Sequence, residues 1–357
     1  MTAVYEELGG ASHERVVRCS DDAAGLRAII AVHSTVLGPA LGGTRFRRYR
    51  SDDDALDDVL RLAAGMTSKA AVAGLDLGGG KAVILGDPAV DRTDELIRAY
   101  GRAVDHLAGT YLTAEDVGTT QADMDLVRTV TRHVTGVSES LGGSGDPSPA
   151  TALGVRCAMS AVAADLWGDS SLEGRRIVVS GVGKVGSALV GHLVSAGAVV
   201  SVADIDPAAA GRMAARHGVE VVGVADAHRT PCDILSPCAL GGAFNAQTIP
   251  ELACAAVVGS ANNQLAEPDD ASRLADAGVL YAPDYVVNAG GVINIAEERH
   301  RDGYDRERAH RAIARVEATT ATVLATARAE GITTTAAADR VAEERLDAAR
   351  KTPHHHD

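Results

Sequence analysis

The segment Gly181-Val182-Gly183-Lys184-Val185-Gly186 follows directly on a run of β-branched residues, Arg176–Ser180, and opens an apolar helical stretch over 184–196. A glycine-rich turn in that setting suits one local geometry, a strand passing through a tight turn into a helix that packs back against it. The alternation continues, with a strand predicted over Val199–Ala203, a helix over 208–217, and strands near 233–235, 255–259 and 279–282. Recurrent strand and helix segments of this kind predict a parallel, doubly wound sheet.

In such a sheet the glycines let the backbone approach a pyrophosphate, whose charge faces the amino end of the helix. Gly181, Gly183, Lys184, Val185 and Gly186 are therefore expected to hold a dinucleotide. Asp204 stands 23 residues beyond Gly181 at the end of the next strand. A carboxylate there would hold a ribose 2′-hydroxyl and repel a 2′-phosphate, which favours NAD over NADP. The plainer alternative is a helix-capping role for Asp204 or Asp206.

At 357 residues the chain exceeds what one core usually serves, so two domains are expected. The clearest linker is Leu141-Gly142-Gly143-Ser144-Gly145-Asp146-Pro147-Ser148-Pro149, dense in turn formers. We place a boundary near 145: residues 1–145 form a first domain, 146–325 the dinucleotide domain, and 326–357 helices that return to the first. In the first domain, β-rich runs at 15–18 and 26–33 flank the turn former Ser20-Asp21-Asp22 and predict a hairpin. Ser51 followed by three aspartates reads as a helix start. Leu56, Val59, Leu60, Ala63 and Met66 give that helix one apolar face, and Lys69 continues it. A lysine on a buried face is costly unless it lines a cavity or is paired. A short strand at 82–85 is expected directly after Lys81, then a helix at 94–108, a strand at 111–113 and a helix at 122–131. The fold class is α/β: an N-terminal α/β domain with a mixed sheet, then a Rossmann doubly wound parallel sheet, the two separated by a cleft.

A net charge of −14 argues against a nucleic-acid or anionic-membrane partner, either of which needs a clustered basic surface. The arginine-rich stretch Arg45-Phe46-Arg47-Arg48-Tyr49-Arg50 is the local exception and reads as a solvated or interface segment. Five scattered cysteines without a C-x-x-C pair indicate buried thiols, not a disulfide framework or a zinc site, and no metal is expected. No leader-like segment or bilayer-length apolar run is present, so the cytoplasm is the default expectation. The histidines 354–356 are set aside from site reasoning, as a tag remnant or a natural tail.

Two lysines twelve residues apart, Lys69 in Met66-Thr67-Ser68-Lys69 and Lys81 in Leu77-Gly78-Gly79-Gly80-Lys81, precede the segment Thr113-Ala114-Glu115-Asp116-Val117-Gly118. Taken singly, each has a bland reading: Lys81 as a turn cap, Asp116 as an N-cap or surface carboxylate, Lys69 as a snorkelling stem. Together with Gly38-Pro39-Ala40-Leu41-Gly42-Gly43-Thr44-Arg45, Gly259-Ser260-Ala261-Asn262-Asn263-Gln264 and Asn288-Ala289-Gly290-Gly291-Val292, in this order, they resemble the Glu/Leu/Phe/Val dehydrogenases. The likeness runs from about Gly38 to Asn294.

The resemblance implies NAD(P)-linked oxidative deamination of an amino acid to a 2-oxo acid and ammonium. It implies that Lys69 binds the substrate carboxylate, helped by backbone around Gly42 and Gly43. Lys81 would be the catalytic amine and Asp116 the general acid/base. Asn262 would hold the amino or carbonyl end of the substrate, and Asn288 would lie near the nicotinamide. Leu41, Ala114, Val292 and Ile295 would line the side-chain pocket. Their aliphatic character disfavours glutamate, whose second carboxylate would be left unpaired, and favours leucine, valine and isoleucine. Phenylalanine dehydrogenase and a non-catalytic dinucleotide-binding sensor are the competing readings. Small-molecule partners and a homo-oligomer are implied, with substrate, catalytic groups and subunit contacts in the first domain.

Overall fold

The structure, a computed structural model, describes residues 3–9 and 12–351, so the histidines at 354–356 lie outside the described residues. The chain forms two compact units, Met1–Asp146 with Ile295–Arg306 and Ala342–Asp357, and Pro147–Asn294 with Glu307–Val341.

The first unit is built on strands β1 (Val4–Glu7), β2 (Arg15–Asp21), β3 (Leu26–Ser34), β4 (Ala40–Arg47), β5 (Gly78–Leu85) and β6 (Tyr111–Glu115). Helices α1 (Asp52–Val72), α2 (Asp94–His106) and α3 (Gln121–Arg128) cover them. The sheet order is β1-β2-β3-β5-β4-β6. It is mixed: β3 pairs antiparallel with β5, whereas β4 runs parallel to both β5 and β6. Helix α1 begins as the sequence suggests, the Ser51 side chain accepting from the Asp54 amide with three aspartates in the first turn. One sheet face packs Val16, Ile29, Ala31 and Val83 against Ala55, Val59 and Ala63 of α1. The other buries Phe46, Tyr100, Tyr111 and Met124 with α2 and α3.

Two expectations about this sheet are corrected. The strand carrying Lys81 starts at Gly78, so Lys81 lies inside a buried strand and does not cap a turn. The arginine-rich stretch is not a solvated segment throughout, because Arg45 and Phe46 belong to β4, Phe46 being 1% exposed.

The second unit begins with α4 (Ser148–Trp167) and continues through β7 (Arg176–Ser180), α5 (Lys184–Ser195), β8 (Val199–Ala203), α6 (Pro207–His217), β9 (Glu220–Val221), β10 (Cys232–Pro237) and β11 (Cys254–Val257). There follow α7 (Asp270–Asp276), β12 (Leu280–Tyr281), α8 (Asp284–Val287), α9 (Gly290–Ala296), α10 (Arg306–Glu330) and α11 (Thr334–Lys351). Gly331, at φ +65°, breaks the last two helices apart. All strands of this sheet are parallel, in the order β12-β11-β10-β7-β8-β9. Strand order reverses beside β7, so the glycine turn that follows β7 emerges at the switch point of the sheet, where ligands bind in folds of this type. Among the described residues no helix is long and apolar enough to cross a membrane.

Candidate active site

In the first unit, strand register decides which side chains share a face. Leu41 lies opposite Gly79 and Leu112, and Gly43 lies opposite Ala114. Side chains alternate along a strand, so Leu41, Gly43 and Arg45 of β4, Lys81 of β5 and Ala114 of β6 all face α1. Gly42 faces the other way, and its carbonyl accepts from the Tyr111 hydroxyl at 2.7 Å. The glycines are a packing requirement. A Cβ on Gly79 would stand 2.1 Å from the Thr67 backbone nitrogen, and one on Gly42 would stand 1.6 Å from the Gly80 carbonyl oxygen. Only bare backbone lets α1 settle on β5 at this depth.

Lys81 projects into this layer with its side chain 8% exposed, and its Nζ meets Asp116 Oδ2 at 2.5 Å. Asp116 follows β6 in a turn closed by Thr119, whose Oγ1 accepts from the Asp116 amide at 2.9 Å and donates to the Thr44 carbonyl at 2.9 Å. Burial drives the Lys81 ammonium below its ordinary value; Asp116 opposes that shift and Arg45 adds to it. Burial alone would raise Asp116, but Lys81, Arg45 and the Val117 amide outweigh it and bring the carboxyl down to about 2. The pair is an ionised carboxylate beside an amine that burial makes easier to deprotonate, which suits proton transfer.

Lys69 lies in the last turn of α1 and is half-buried. It is eleven residues beyond Asp58, about three helical turns, so the two share one flank of α1. Asp58 contacts Arg45 of β4, which identifies that flank as the one facing β4. Ile295 is half-buried near Gly136, where a Cβ on the glycine would stand 3.9 Å from Ile295 Cγ2.

Sequence reasoning missed Arg45, Asp58 and Tyr49 as parts of this site. Arg45 Nε donates to Asp116 Oδ2 at 3.0 Å and its Nη1 to Asp58 Oδ2 at 3.2 Å, while the Tyr49 hydroxyl donates to the same Asp58 oxygen at 2.9 Å. The available signal was parity: Arg45 is two residues beyond Gly43 and must share its face once the segment is a strand.

In the second unit the glycine turn has the form a dinucleotide needs. Gly181 has φ +99°, and a Cβ on Gly186 would stand 1.9 Å from the Gly181 carbonyl oxygen. Gly183 caps α5 and brings no side chain to its first-turn amides, which suits a phosphate. Gly183 and Lys184 are exposed, Val185 half-buried. Asp204 ties the turn to the end of β8: Oδ2 accepts from the Val182 amide at 2.7 Å and Oδ1 from the Asp206 amide at 2.8 Å. Asp206, not Asp204, caps a helix, accepting from the Ala208 amide at 3.0 Å. The two asparagines are joined, Asn288 Nδ2 donating to Asn262 Oδ1 at 2.9 Å and to the Ser260 carbonyl at 3.2 Å. Val292 is 8% exposed in α9.

Residues 13–133 match the Glu/Leu/Phe/Val dehydrogenase dimerisation domain, and residues 142–221 and 211–353 match the Glutamate/Leucine/Phenylalanine/Valine dehydrogenase domain. Leucine dehydrogenase of Geobacillus stearothermophilus is 50% identical over 339 residues, covering 95% of this chain and 92% of that one. Valine dehydrogenase of Streptomyces coelicolor is 51% identical over 356 residues, covering 99% and 96%. Among solved structures, L-tryptophan dehydrogenase from Nostoc punctiforme superimposes with a TM-score of 0.86 at 39% identity, covering 96% of this chain and 98% of that one. The hetero-hexameric glutamate dehydrogenase from Thermus thermophilus gives 0.76 at 27% identity, covering 99% and 90%. With both domain matches and near full-length identity of this order, the chain belongs to the Glu/Leu/Phe/Val dehydrogenase family, the pyridine-nucleotide-linked amino-acid dehydrogenases.

Proposed function

We propose that the chain catalyses NAD-dependent, reversible oxidative deamination of a branched-chain aliphatic L-amino acid, leucine, valine or isoleucine, to the 2-oxo acid and ammonium. The observation that carries this reading is the buried Lys81 amine at 2.5 Å from the Asp116 carboxylate, on a sheet face shared with the aliphatic side chains Leu41 and Ala114. Leucine and valine dehydrogenases at 50% and 51% identity support the substrate class.

Gly181, Gly183, Lys184, Val185 and Gly186 would hold the dinucleotide, with Asp204 and Asn288 beside it, and the bound nicotinamide supplies the acceptor for the α-hydrogen. Asp204 supports NAD, since a carboxylate at the end of β8 repels a 2′-phosphate. Lys69 gives the substrate carboxylate a fixed cation. Lys81, which burial makes easier to deprotonate, takes a proton from the water that attacks the α-carbon of the iminium, and Asp116 takes and returns a proton at the substrate nitrogen. Asn262 orients that end of the substrate. Leu41, Ala114, Val292 and Ile295 offer no partner to a second carboxylate, so glutamate is disfavoured. The match to a dimerisation domain supports a homo-oligomer.

The test is NADH formation at alkaline pH with leucine, isoleucine, valine, phenylalanine and glutamate, repeated with NADP. The reading expects the three branched aliphatic substrates to lead, and a clear preference for phenylalanine or glutamate would displace it. Lys81→Ala should lower turnover by about three orders of magnitude while NADH binding survives. Near-normal turnover without the amine would overturn the mechanism.

A further inference from the structure

The guanidinium of Arg45 joins two carboxylates of different elements. Its Nε reaches Asp116 Oδ2, the same oxygen that meets Lys81, and its Nη1 reaches Asp58 of α1. Asp58 is itself held by the Tyr49 hydroxyl at 2.9 Å and by Arg61 at 2.6 Å. The side chains of Arg45 and Asp58 are 19% and 14% exposed, so the chain of ion pairs is largely withdrawn from solvent. A surface arginine would gain little from such contacts, whereas one ordered from both ends can fix the carboxylate it touches.

Resting on the reading of Lys81 and Asp116 given above, we propose that Arg45 is a positioning residue: braced by Asp58 and Tyr49, it holds Asp116 Oδ2 against Lys81 and keeps a fixed positive charge beside the amine. The fork geometry is what the position requires. A lysine would supply the charge to one partner, but its single ammonium lacks the planar spread that serves β4's neighbour and α1 together.

The groups facing Lys81 give the direction of the pH effect. They are Asp116 after β6, Arg45 on β4 and Asp58 on α1; Lys69 lies about three turns further along the Asp58 flank of α1. From β3 the nearest titratable group on this face is His33, which burial pushes below the ordinary histidine value and which is hydrogen-bonded to Thr67 at 2.8 Å. Arg45 in turn faces Asp116, Asp58 and Tyr49. Neutralising Arg45 removes a cation that resists protonation of Lys81 and leaves the negative charge of Asp58 balanced by Arg61 alone. Both changes favour the protonated amine, so the ascending limb of the pH profile of kcat moves to higher pH.

The experiment compares wild type, Arg45→Gln and Arg45→Lys in leucine oxidation from neutral to alkaline pH, with thermal melts alongside. Arg45→Gln should lower kcat about tenfold or more and shift its ascending limb upward by about half a pH unit or more, with KM for leucine within about threefold. Arg45→Lys keeps the charge and should leave the limb in place while kcat falls severalfold. An unshifted limb in a folded Arg45→Gln overturns the proposal. Should that variant not fold, unchanged kcat in Arg45→Lys overturns it and a severalfold loss at an unmoved limb supports it. The two levels of inference separate: a wild type that oxidises no amino acid sinks the activity itself, whereas an active wild type with indifferent Arg45 variants sinks only this role.

Discussion

Gly43 leaves room for Asp116: a Cβ on this glycine would stand 2.8 Å from the Asp116 Cβ and 2.7 Å from the Glu115 carbonyl oxygen. Both obstacles are main chain or the root of a side chain, so no rotamer change relieves them. Gly43→Ala must therefore push the turn after β6 away from β4, and Asp116 with it. We expect a kcat loss of about tenfold or more and a stability loss of about 1–3 kcal/mol, the usual cost of overpacking. Steady-state kinetics with urea unfolding checks this, and wild-type kcat in the alanine variant would show that the turn yields without consequence.

Asp116 also sets an acid limit on stability. Its carboxyl falls from an ordinary 3.8 to about 2 because Lys81 and Arg45 outweigh the cost of burial. A carboxyl lowered on folding stabilises the native state above its unfolded value, and that contribution vanishes as pH falls through the folded value. The window lies between about pH 4 and about pH 2, and the contribution is about 2 kcal/mol. Lys81 acts with the opposite charge: between its lowered value and 10.5 the unfolded chain binds the extra proton, so its contribution rises with pH. In Asp116→Asn the acid loss should shrink by this amount, although the variant is less stable at neutral pH with Lys81 unpaired. Urea midpoints measured across the window decide it, and identical acid slopes in variant and wild type would contradict the assignment.

What could be read from the sequence divides along physical lines. The turn at Gly181–Gly186 was legible because its requirements are local: a β-branched strand before it, a helix after it, and glycines where backbone must come close. The strands β7 and β8 fall where that pattern places them. Strand β4 was not legible as a strand, since Gly42 and Gly43 are poor strand formers and the reason for them lies in neighbours far along the chain. The same holds for Gly78, Gly79 and Gly80, which were separated from the strand they begin. Arg45 was hidden by its neighbours: next to Arg47, Arg48 and Arg50 it looks like one more solvated cation. Its pairing with Asp116, 71 positions away, emerges only when β4 and β6 lie side by side.

The carboxy-terminal helix supports the end of α1 that bears Lys69. Arg345 Nη1 donates to the Ala71 carbonyl at 3.0 Å and the Ala70 carbonyl at 3.3 Å, and Nη2 to Asp76 at 2.8 Å. The last carbonyls of a helix lack intrahelical partners; here the Leu75 and Gly74 amides already reach the Ala70 and Ala71 carbonyls, and the half-buried arginine adds a second donor to each, which further fixes the final turn. Arg345→Ala should loosen the seat of Lys69. The expected result is a rise of about fivefold in KM for leucine with kcat within about twofold, and a stability loss of about 1–2 kcal/mol. A lowered melting temperature with KM unmoved would mean that Arg345 supports the fold and not the proposed substrate-binding role of Lys69.

Under the proposed function, Asp204 would have two separable effects on the dinucleotide. Its negative charge would disfavour a 2′-phosphate, and its Oδ2 accepts from the Val182 amide, which ties the glycine turn to the end of β8. Asp204→Ala loses both, so KM for NAD should rise by about tenfold while the discrimination against NADP falls. Asp204→Asn removes the charge and keeps one oxygen able to accept from Val182. The turn should then survive, with a smaller rise in KM for NAD and the same relaxation toward NADP. Kinetics of both variants with both cofactors separate the contributions. If the asparagine variant rejected NADP as firmly as wild type, the charge of Asp204 would not be what selects the cofactor, and its hydrogen bonds to the Val182 and Asp206 amides would be what remains of its role.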